Sequence, residues 1–376
     1  MLFQPPIPSR YAQLTEDELA SAVDVRKRQL GKKLVILGHH YQQDNVIRFA
    51  DFAGDSLKLS QLAAEQADAE YVIFCGVHFM AESADILARD DVAVVLPDLG
   101  AGCSMADMAT IDQLEDAWDR LTQATNDTII PITYVNSAAS IKAFCGQHAG
   151  ACCTSGNARR VLEWALGNSD RLDQRKVLFL PDQHLGRNTA YAMGWPLEAM
   201  VVYDPSAPDG GLDDDDVRAA KFILWKGYCS VHQLFTTAQI DAIRSLDPEY
   251  QVIVHPECEW EVVQKADQAG STEYIIEAVA SAPPGSKWAV GTEVNLVERL
   301  AHQFAPEKTV RSLADIQCLC TTMYRIDLRH LLWTLDNLAE GRIVNQIKVD
   351  PETKRLALVA LNRMLENVTT RPIAAK

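Results

Sequence analysis

The chain has 376 residues, 48% hydrophobic and 23% charged, the balance of a folded globular protein long enough for two or three domains. Its 35 basic against 51 acidic residues leave a net charge of −16, so the surface repels nucleic acid and anionic lipid, and a small anionic substrate would need a locally positive pocket. No apolar run approaches the ~18 residues of a membrane span, the start Met1-Leu2-Phe3-Gln4-Pro5-Pro6 has no secretory leader, and nine cysteines, an odd count, read as cytoplasmic thiols rather than disulfides.

Val35-Ile36-Leu37 is a short apolar strand that stops at the polar cluster Gly38-His39-His40-Tyr41. Gly54-Asp55-Ser56 then opens an amphipathic run from Leu57 to Ala67, and Tyr71-Val72-Ile73-Phe74 is a second strand ending at Gly76-Val77-His78. The same order returns twice. Ile129 to Thr133 leads to the tip Tyr134-Val135-Asn136, then to Thr154-Ser155-Gly156-Asn157 before a helix, and Val177 to Leu180 leads to Asp182-Gln183-His184. Gln251 to Val254 leads to His255-Pro256-Glu257, then to Gly270-Ser271-Thr272 before a helix, and Trp288-Ala289-Val290 leads to Gly291-Thr292-Glu293. Strands alternating with helices in this way predict parallel α/β sheets.

Spacing supports a repeat. His39 precedes Ser56 by 17 residues and His255 precedes Thr272 by 17; Cys103 follows Ser56 by 47, and Cys320 follows Thr272 by 48. The middle unit is longer, with 21 residues from Tyr134 to Ser155 and 74 from Ser155 to Cys229. Part of its excess is the segment from Tyr203 to Asp216, whose Pro-Ser-Ala-Pro-Asp-Gly-Gly and four aspartates predict an inserted surface loop. The predicted units are 1–125, carrying an N-terminal helix and packed with the C-terminal segment, 126–235, and 236–376 with the C-terminal helices. Functional groups of parallel sheets gather beyond the carboxyl ends of the strands, so the simplest use of three units is an approximate three-fold arrangement around one site.

Each unit ends in one cysteine beside glycine or threonine: Gly102-Cys103-Ser104, Tyr228-Cys229-Ser230 after Gly227, and Cys320-Thr321. Three ligands rather than four would leave one iron of a [4Fe-4S] cluster open as a Lewis acid. An isolated cysteine is more often a small buried hydrophobe, and that reading is kept for Cys75, Cys145, Cys152, Cys153 and Cys258, with Cys318 ambiguous. Ser56, Ser155 and Thr272 are predicted helix caps, and helix N-termini gathered at one site would make a pocket for phosphate or carboxylate. The candidate acid–base and orienting groups are His39, His40, Tyr41, Tyr134, Asn136, His184, His232, His255 and Glu257, with His255 and Glu257 the leading pair.

The segments Gly-His-His-Tyr, Gly-Asp-Ser, Tyr-Val-Asn, Thr-Ser-Gly-Asn, Pro-Asp-Gln-His-Leu-Gly-Arg, Cys-Ser-Val-His-Gln, Val-His-Pro-Glu-Cys, Gly-Ser-Thr and Cys-Thr-Thr-Met closely resemble the quinolinate synthase family, in family order from Leu34 to Leu332. Leu361-Asn362-Arg363-Met364-Leu365 matches as well. The resemblance implies three similar three-layer αβα domains with short parallel sheets in a pseudo-three-fold arrangement around a central active site. It implies a transferase that condenses iminoaspartate (iminosuccinate) with dihydroxyacetone phosphate to quinolinate, releasing phosphate and water, for NAD biosynthesis. It places the cluster on Cys103, Cys229 and Cys320, and the iminoaspartate site on His39, Ser56, Tyr134, Val135, Asn136, Ser155, His255, Pro256, Glu257 and Thr272, with Tyr41 catalytic. Because iminoaspartate is unstable, an aspartate oxidase or dehydrogenase must supply it. Two other readings compete: an aconitase-like [4Fe-4S] hydro-lyase, and a zinc-stabilised binding protein, for which the closely spaced cysteine pairs are missing.

Overall fold

The computed structural model of the protein describes residues 4–55, 58, 59, 62, 68–167 and 175–368. Ser56 and all but three residues of the expected helix 57–67 lie outside this set. The chain is α/β, with several short parallel sheets flanked by helices, and divides into two compact units. The first comprises Met1–Cys103, Pro283–Gly285 and Thr292–Val349; the second comprises Ser104–Ala282, Ser286–Gly291 and Asp350–Lys376.

In the first unit β1 (Leu34–His39) is central, paired in parallel with β2 (Phe52–Gly54) and β3 (Tyr71–Cys75), and β3 pairs with β4 (Ala93–Val95). All six residues of β1 are buried, as expected for a parallel strand covered on both faces, which explains its unbroken apolar run. The late segment Gln346–Ile347 adds an antiparallel edge on β4. The helix Glu16–Leu30, opened by a Thr15/Glu18 capping box, is tied to the helix Leu328–Ala339 by Arg26 Nε on Asp336 Oδ1 at 2.6 Å.

In the second unit β5 (Thr128–Tyr134), β6 (Ala151–Cys153), β7 (Arg175–Leu180), β8 (Met200–Tyr203) and β9 (Phe222–Trp225) form a parallel sheet in the order β6-β5-β7-β9-β8. The segment from Tyr203 to Asp216 is a surface loop, as expected: it leaves edge strand β8 at Tyr203, makes a 3-10 turn at Pro208–Gly211 and enters the helix Asp214–Ala219. Apolar contacts anchor it at both ends: Tyr203 stacks on Trp225 with ring centroids 5.5 Å apart, and Val217 is buried. The four aspartates make that helix's N-terminal turn, where Asp213 and Asp216 form a capping box and Arg120 reaches Asp214 at 2.8 Å.

The same unit holds β10 (Tyr250–Val254), flanked in parallel by β11 (Gln268–Ala269) and β12 (Lys287–Gly291). Its last helix, Pro351–Val368, crosses the helix Ala139–Gln147 at glycine: a Cβ on Gly146 would sit 2.0 Å from the Leu356 carbonyl oxygen. Arg363 secures the crossing by donating to the Gly150 carbonyl at 2.6 Å. No helix among the described residues is long and apolar enough to cross a membrane.

Candidate active site

β10 ends at His255-Pro256-Glu257, and the turn is closed by the Glu257 N–H, which donates to His255 Nδ1 at 3.3 Å. With Nδ1 accepting, the neutral imidazole carries its proton on Nε2. Burial pushes the His255 pKa down to about 3, although the neighbouring carboxylate opposes this, so the ring is neutral at physiological pH. Glu257 is 2% exposed. Its Oε2 lies 2.8 Å from His232 Nδ1 and its Oε1 lies 3.8 Å from His255 Nδ1. Burial works against ionisation of Glu257, but His255 and His232, with hydrogen bonds from His232 and Tyr134, bring its pKa down to about 2.

His232 is therefore the nearer imidazole partner of Glu257, and it stacks on His255 with centroids 4.6 Å apart. Its Nδ1 faces the carboxylate, which leaves Nε2 as the basic nitrogen. The sulfur of Cys229, the imidazole of His232 and the carboxylate of Glu257 all present ligand-type atoms within 4.8 Å of one another. Tyr134, Cys229, His232, His255 and Glu257 are thus one cluster inside the second unit. Asn188 fixes the backbone of the turn, its Nδ2 donating to the carbonyls of Pro256 at 2.9 Å and Cys258 at 2.8 Å. Val135 donates its N–H to the Cys153 carbonyl, and Asn136 follows it half-buried.

The first unit holds a second group. The turn after β1 repeats the geometry after β10, with the Tyr41 N–H donating to His39 Nδ1 at 3.2 Å, which likewise puts the neutral proton on Nε2. Tyr41 Oη and Thr292 Oγ1 share a 2.9 Å hydrogen bond. Next to Thr292, the buried Glu293 carboxylate accepts the N–H groups of Asn295 and Leu296 and, at 3.4 Å, that of Cys320. Burial raises Glu293 to about 7 against those hydrogen bonds. Arg299 clamps the turn through the carbonyls of His40 at 2.8 Å and Gln42 at 2.6 Å, and Gln42 reaches the Met323 carbonyl at 3.2 Å.

Exposure separates the nine cysteines. Cys103, Cys229 and Cys320 are half-buried, the other six are buried, and no disulfide joins any of them. Burial raises the thiols of Cys75 and Cys152 to about 12 and that of Cys318 to about 11, but it raises that of Cys320 as well, so exposure and not acidity sets the three apart. The three half-buried cysteines share one local fold. Three residues after each, a 3-10 turn begins, at Ala106–Met108, His232–Leu234 and Met323–Arg325. Seven residues after each stands a side-chain helix cap, Thr110, Thr236 or Asp327. Only Cys320, not Cys318, keeps this offset. The Cys103 loop is held at Asp98, whose Oδ1 accepts the Gly100 N–H at 2.7 Å while Oδ2 lies 3.0 Å from Arg325 Nε.

Two of the three expected helix caps are displaced. The helix Thr272–Ser281 is capped by Ser271, which accepts the Tyr274 N–H, and Thr272 is its first helical residue. The helix Ala158–Leu166 starts after Asn157, whose side chain turns back to the Thr154 N–H at 2.6 Å, so Ser155 precedes the helix by three residues. Ser271 and Asn157 sit one or two residues away and are equally good cap types, which is why the sequence did not separate them. Ser56 lies outside the described residues.

A family model described as Quinolinate synthetase A protein matches residues 22–366. The chain is 56% identical over 359 residues to the quinolinate synthase of Acidobacterium capsulatum, covering 95% of each chain. It is 55% identical over 359 residues to that of Anoxybacillus flavithermus and 53% identical over 362 residues to that of Bacillus cereus strain G9842, covering 96% of each chain in both cases.

Proposed function

The chain belongs to the quinolinate synthase family, and we propose that it condenses iminoaspartate with dihydroxyacetone phosphate to quinolinate, phosphate and two waters, using a [4Fe-4S] cluster on Cys103, Cys229 and Cys320. As a member of that family it is an enzyme of NAD biosynthesis, and the aconitase-like and zinc-stabilised readings are set aside. The observation that carries the cluster assignment is the set of three half-buried cysteines with one local fold, against six buried ones. The donor set fits: thiolates, a half-exposed position for each, and in two of the three loops a preceding glycine that lets the backbone come close to an inorganic group. When bound, such a cluster supplies a Lewis-acidic iron for substrate oxygens.

The protein's own groups divide the proton work. His232, oriented by the Glu257 carboxylate at 2.8 Å, is the general base through Nε2. His255, neutral with its proton on Nε2, is a hydrogen-bond donor that polarises a substrate oxygen. His39 has the same tautomer, and Tyr41 offers a phenol aligned by Thr292. Tyr134, Val135, Asn136, Ser155, Pro256 and Thr272, with Ser56, take the remaining polar groups of iminoaspartate. Imine formation, isomerisation and dehydration each need a proton taken and a proton given; His232 takes one at Nε2 and returns it, and the Tyr41 phenol is a second acid.

The domain reading stays with three units, 1–125, 126–235 and 236–376, because each repeat brings its own parallel strands. Iminoaspartate comes from an aspartate oxidase or dehydrogenase, and the setting is the cytoplasm, where nine cysteines outside disulfides are stable. The test is anaerobic purification followed by incubation with iminoaspartate and dihydroxyacetone phosphate. A brown protein that releases quinolinate and phosphate in equal amounts is expected; a colourless protein that still forms quinolinate contradicts the cluster, and a brown one that forms none contradicts the reaction.

A further inference from the structure

We propose that Asp98 is a positioning residue that clasps the Cys103 loop to the Cys320 loop, so that one buried carboxylate sets the spacing of two of the three cluster sulfurs. The inference rests on the cluster reading above and extends it to what holds two ligand loops together in the protein itself. Asp98 stands five residues before Cys103 and is 1% exposed. A carboxylate so far out of water has to be matched by donors, and each of its oxygens meets one. Oδ1 accepts the Gly100 N–H at 2.7 Å, inside its own loop. Oδ2 accepts from Arg325 Nε at 3.0 Å, and Arg325 stands five residues after Cys320.

Both ends of the clasp are anchored. On the Cys103 side the Asp98 carbonyl accepts the Ala101 N–H at 3.0 Å, the Ala101 carbonyl accepts the His78 N–H at 2.8 Å, and Gln4 Oε1 accepts the Leu99 N–H at 2.8 Å. On the Cys320 side Arg325 ends the 3-10 turn Met323–Arg325, whose Tyr324 N–H donates to the Cys320 carbonyl at 3.0 Å. His330, with Nδ1 2.8 Å from Asp327 Oδ1, brings its Nε2 to 3.5 Å from Asp98 Oδ2. Gly100 makes room for the guanidinium, because a Cβ there would sit 2.6 Å from Arg325 Nη2. The residues that match Arg325 after Cys103 and Cys229 are Met108 and Leu234, which carry no charge, so the arginine is a feature of the Cys320 loop and not of the shared turn.

Asp98→Asn keeps the volume, but an amide oxygen accepts from one donor and the N–H₂ is turned on the other. Arg325→Gln breaks the clasp from its half-exposed end, where the fold tolerates change, and Arg325→Lys keeps the charge without the planar fork. The experiment uses the anaerobically purified full-length protein and reads two quantities: deuterium exchange of the segments 97–105 and 318–326, and iron release into an excess of a ferrous chelator. Asp336→Asn is the control, because it breaks the Arg26 ion pair of the same unit and touches neither loop. Asp98→Asn and Arg325→Gln are each expected to speed exchange in both segments together and to release iron about tenfold faster than wild type, with Arg325→Lys in between. Because the two residues act as one clasp, the double variant is expected to be no faster than the faster single one. Asp336→Asn is expected to lower Tm and leave both readouts as in wild type. Wild-type exchange and release in Arg325→Gln, multiplied effects in the double variant, or equal acceleration in Asp336→Asn would overturn the clasp. Wild-type protein without iron would overturn the cluster reading instead, and the exchange of the two segments would still decide whether Asp98 joins them.

Discussion

Replacing Glu257 by glutamine removes one charge from a site that is 2% exposed while keeping its volume. The carboxylate now faces His232 Nδ1 at 2.8 Å and the Tyr134 hydroxyl. An amide oxygen can satisfy one of them, and the amide N–H₂ then confronts the other, so His232 loses the anion that orients its ring. Loss of one acid–base group typically costs about 10²–10⁴-fold in rate, equivalent to about 3–5 kcal/mol of barrier. The cysteines are untouched, so visible absorption and iron content are expected to match wild type. The assay is anaerobic quinolinate formation, run beside Glu257→Asp, which retains the charge and is expected to recover part of the rate. Turnover of Glu257→Gln near the wild-type value would remove the carboxylate and its orientation of His232 from the mechanism.

Asn188→Ala frees the carbonyls of Pro256 and Cys258, so it should lower kcat and cost about 1–3 kcal/mol of stability, and wild-type kcat would show that the turn holds without it. Gly146→Ala puts a methyl 2.0 Å from the Leu356 carbonyl oxygen, so the last helix must shift, at about 1–3 kcal/mol; an unchanged Tm would contradict the close crossing. Stability should also fall with pH, because burial holds His184 down to about 4 and His255 down to about 3. The unfolded chain binds those protons near pH 6.5, so this stability is complete above 6.5 and is lost as pH falls towards 4 and then 3. At pH 5 each group costs up to about 2 kcal/mol, and a urea midpoint equal at pH 5 and pH 7.5 would refute the assignment.

The six strands that carry the site were legible because each contains a three- to five-residue run, mostly apolar, that ends in polar residues, and β1, β3, β5, β7, β10 and β12 stand where those runs stand. The short strands β2, β4, β6 and β11 were not, because two or three residues carry no periodicity. The acidic segment was legible as a surface loop from its composition, but not the 3-10 turn Pro208–Gly211 within it nor its anchoring by the buried Tyr203 and Val217 at its two ends. His232 was among the candidates, yet its tie to Glu257 spans 25 residues and follows from two strand tips meeting, which spacing within one segment does not reveal. A readable signal was also present: Thr110, Thr236 and Asp327 each lie seven residues after a half-buried cysteine, and that offset separates Cys320 from Cys318.

Iron content across four single variants, purified anaerobically, tests most directly which sulfurs hold the cluster. Cys103→Ser, Cys229→Ser and Cys320→Ser each leave two protein thiolates and are expected to be nearly colourless, poor in iron and without quinolinate synthesis. Cys318→Ser, which alters a buried thiol that donates to the Ile316 carbonyl at 3.7 Å, is expected to remain brown and active. A colourless Cys318→Ser beside a brown, active Cys320→Ser would contradict the assignment and shift the repeat on which it stands by two residues.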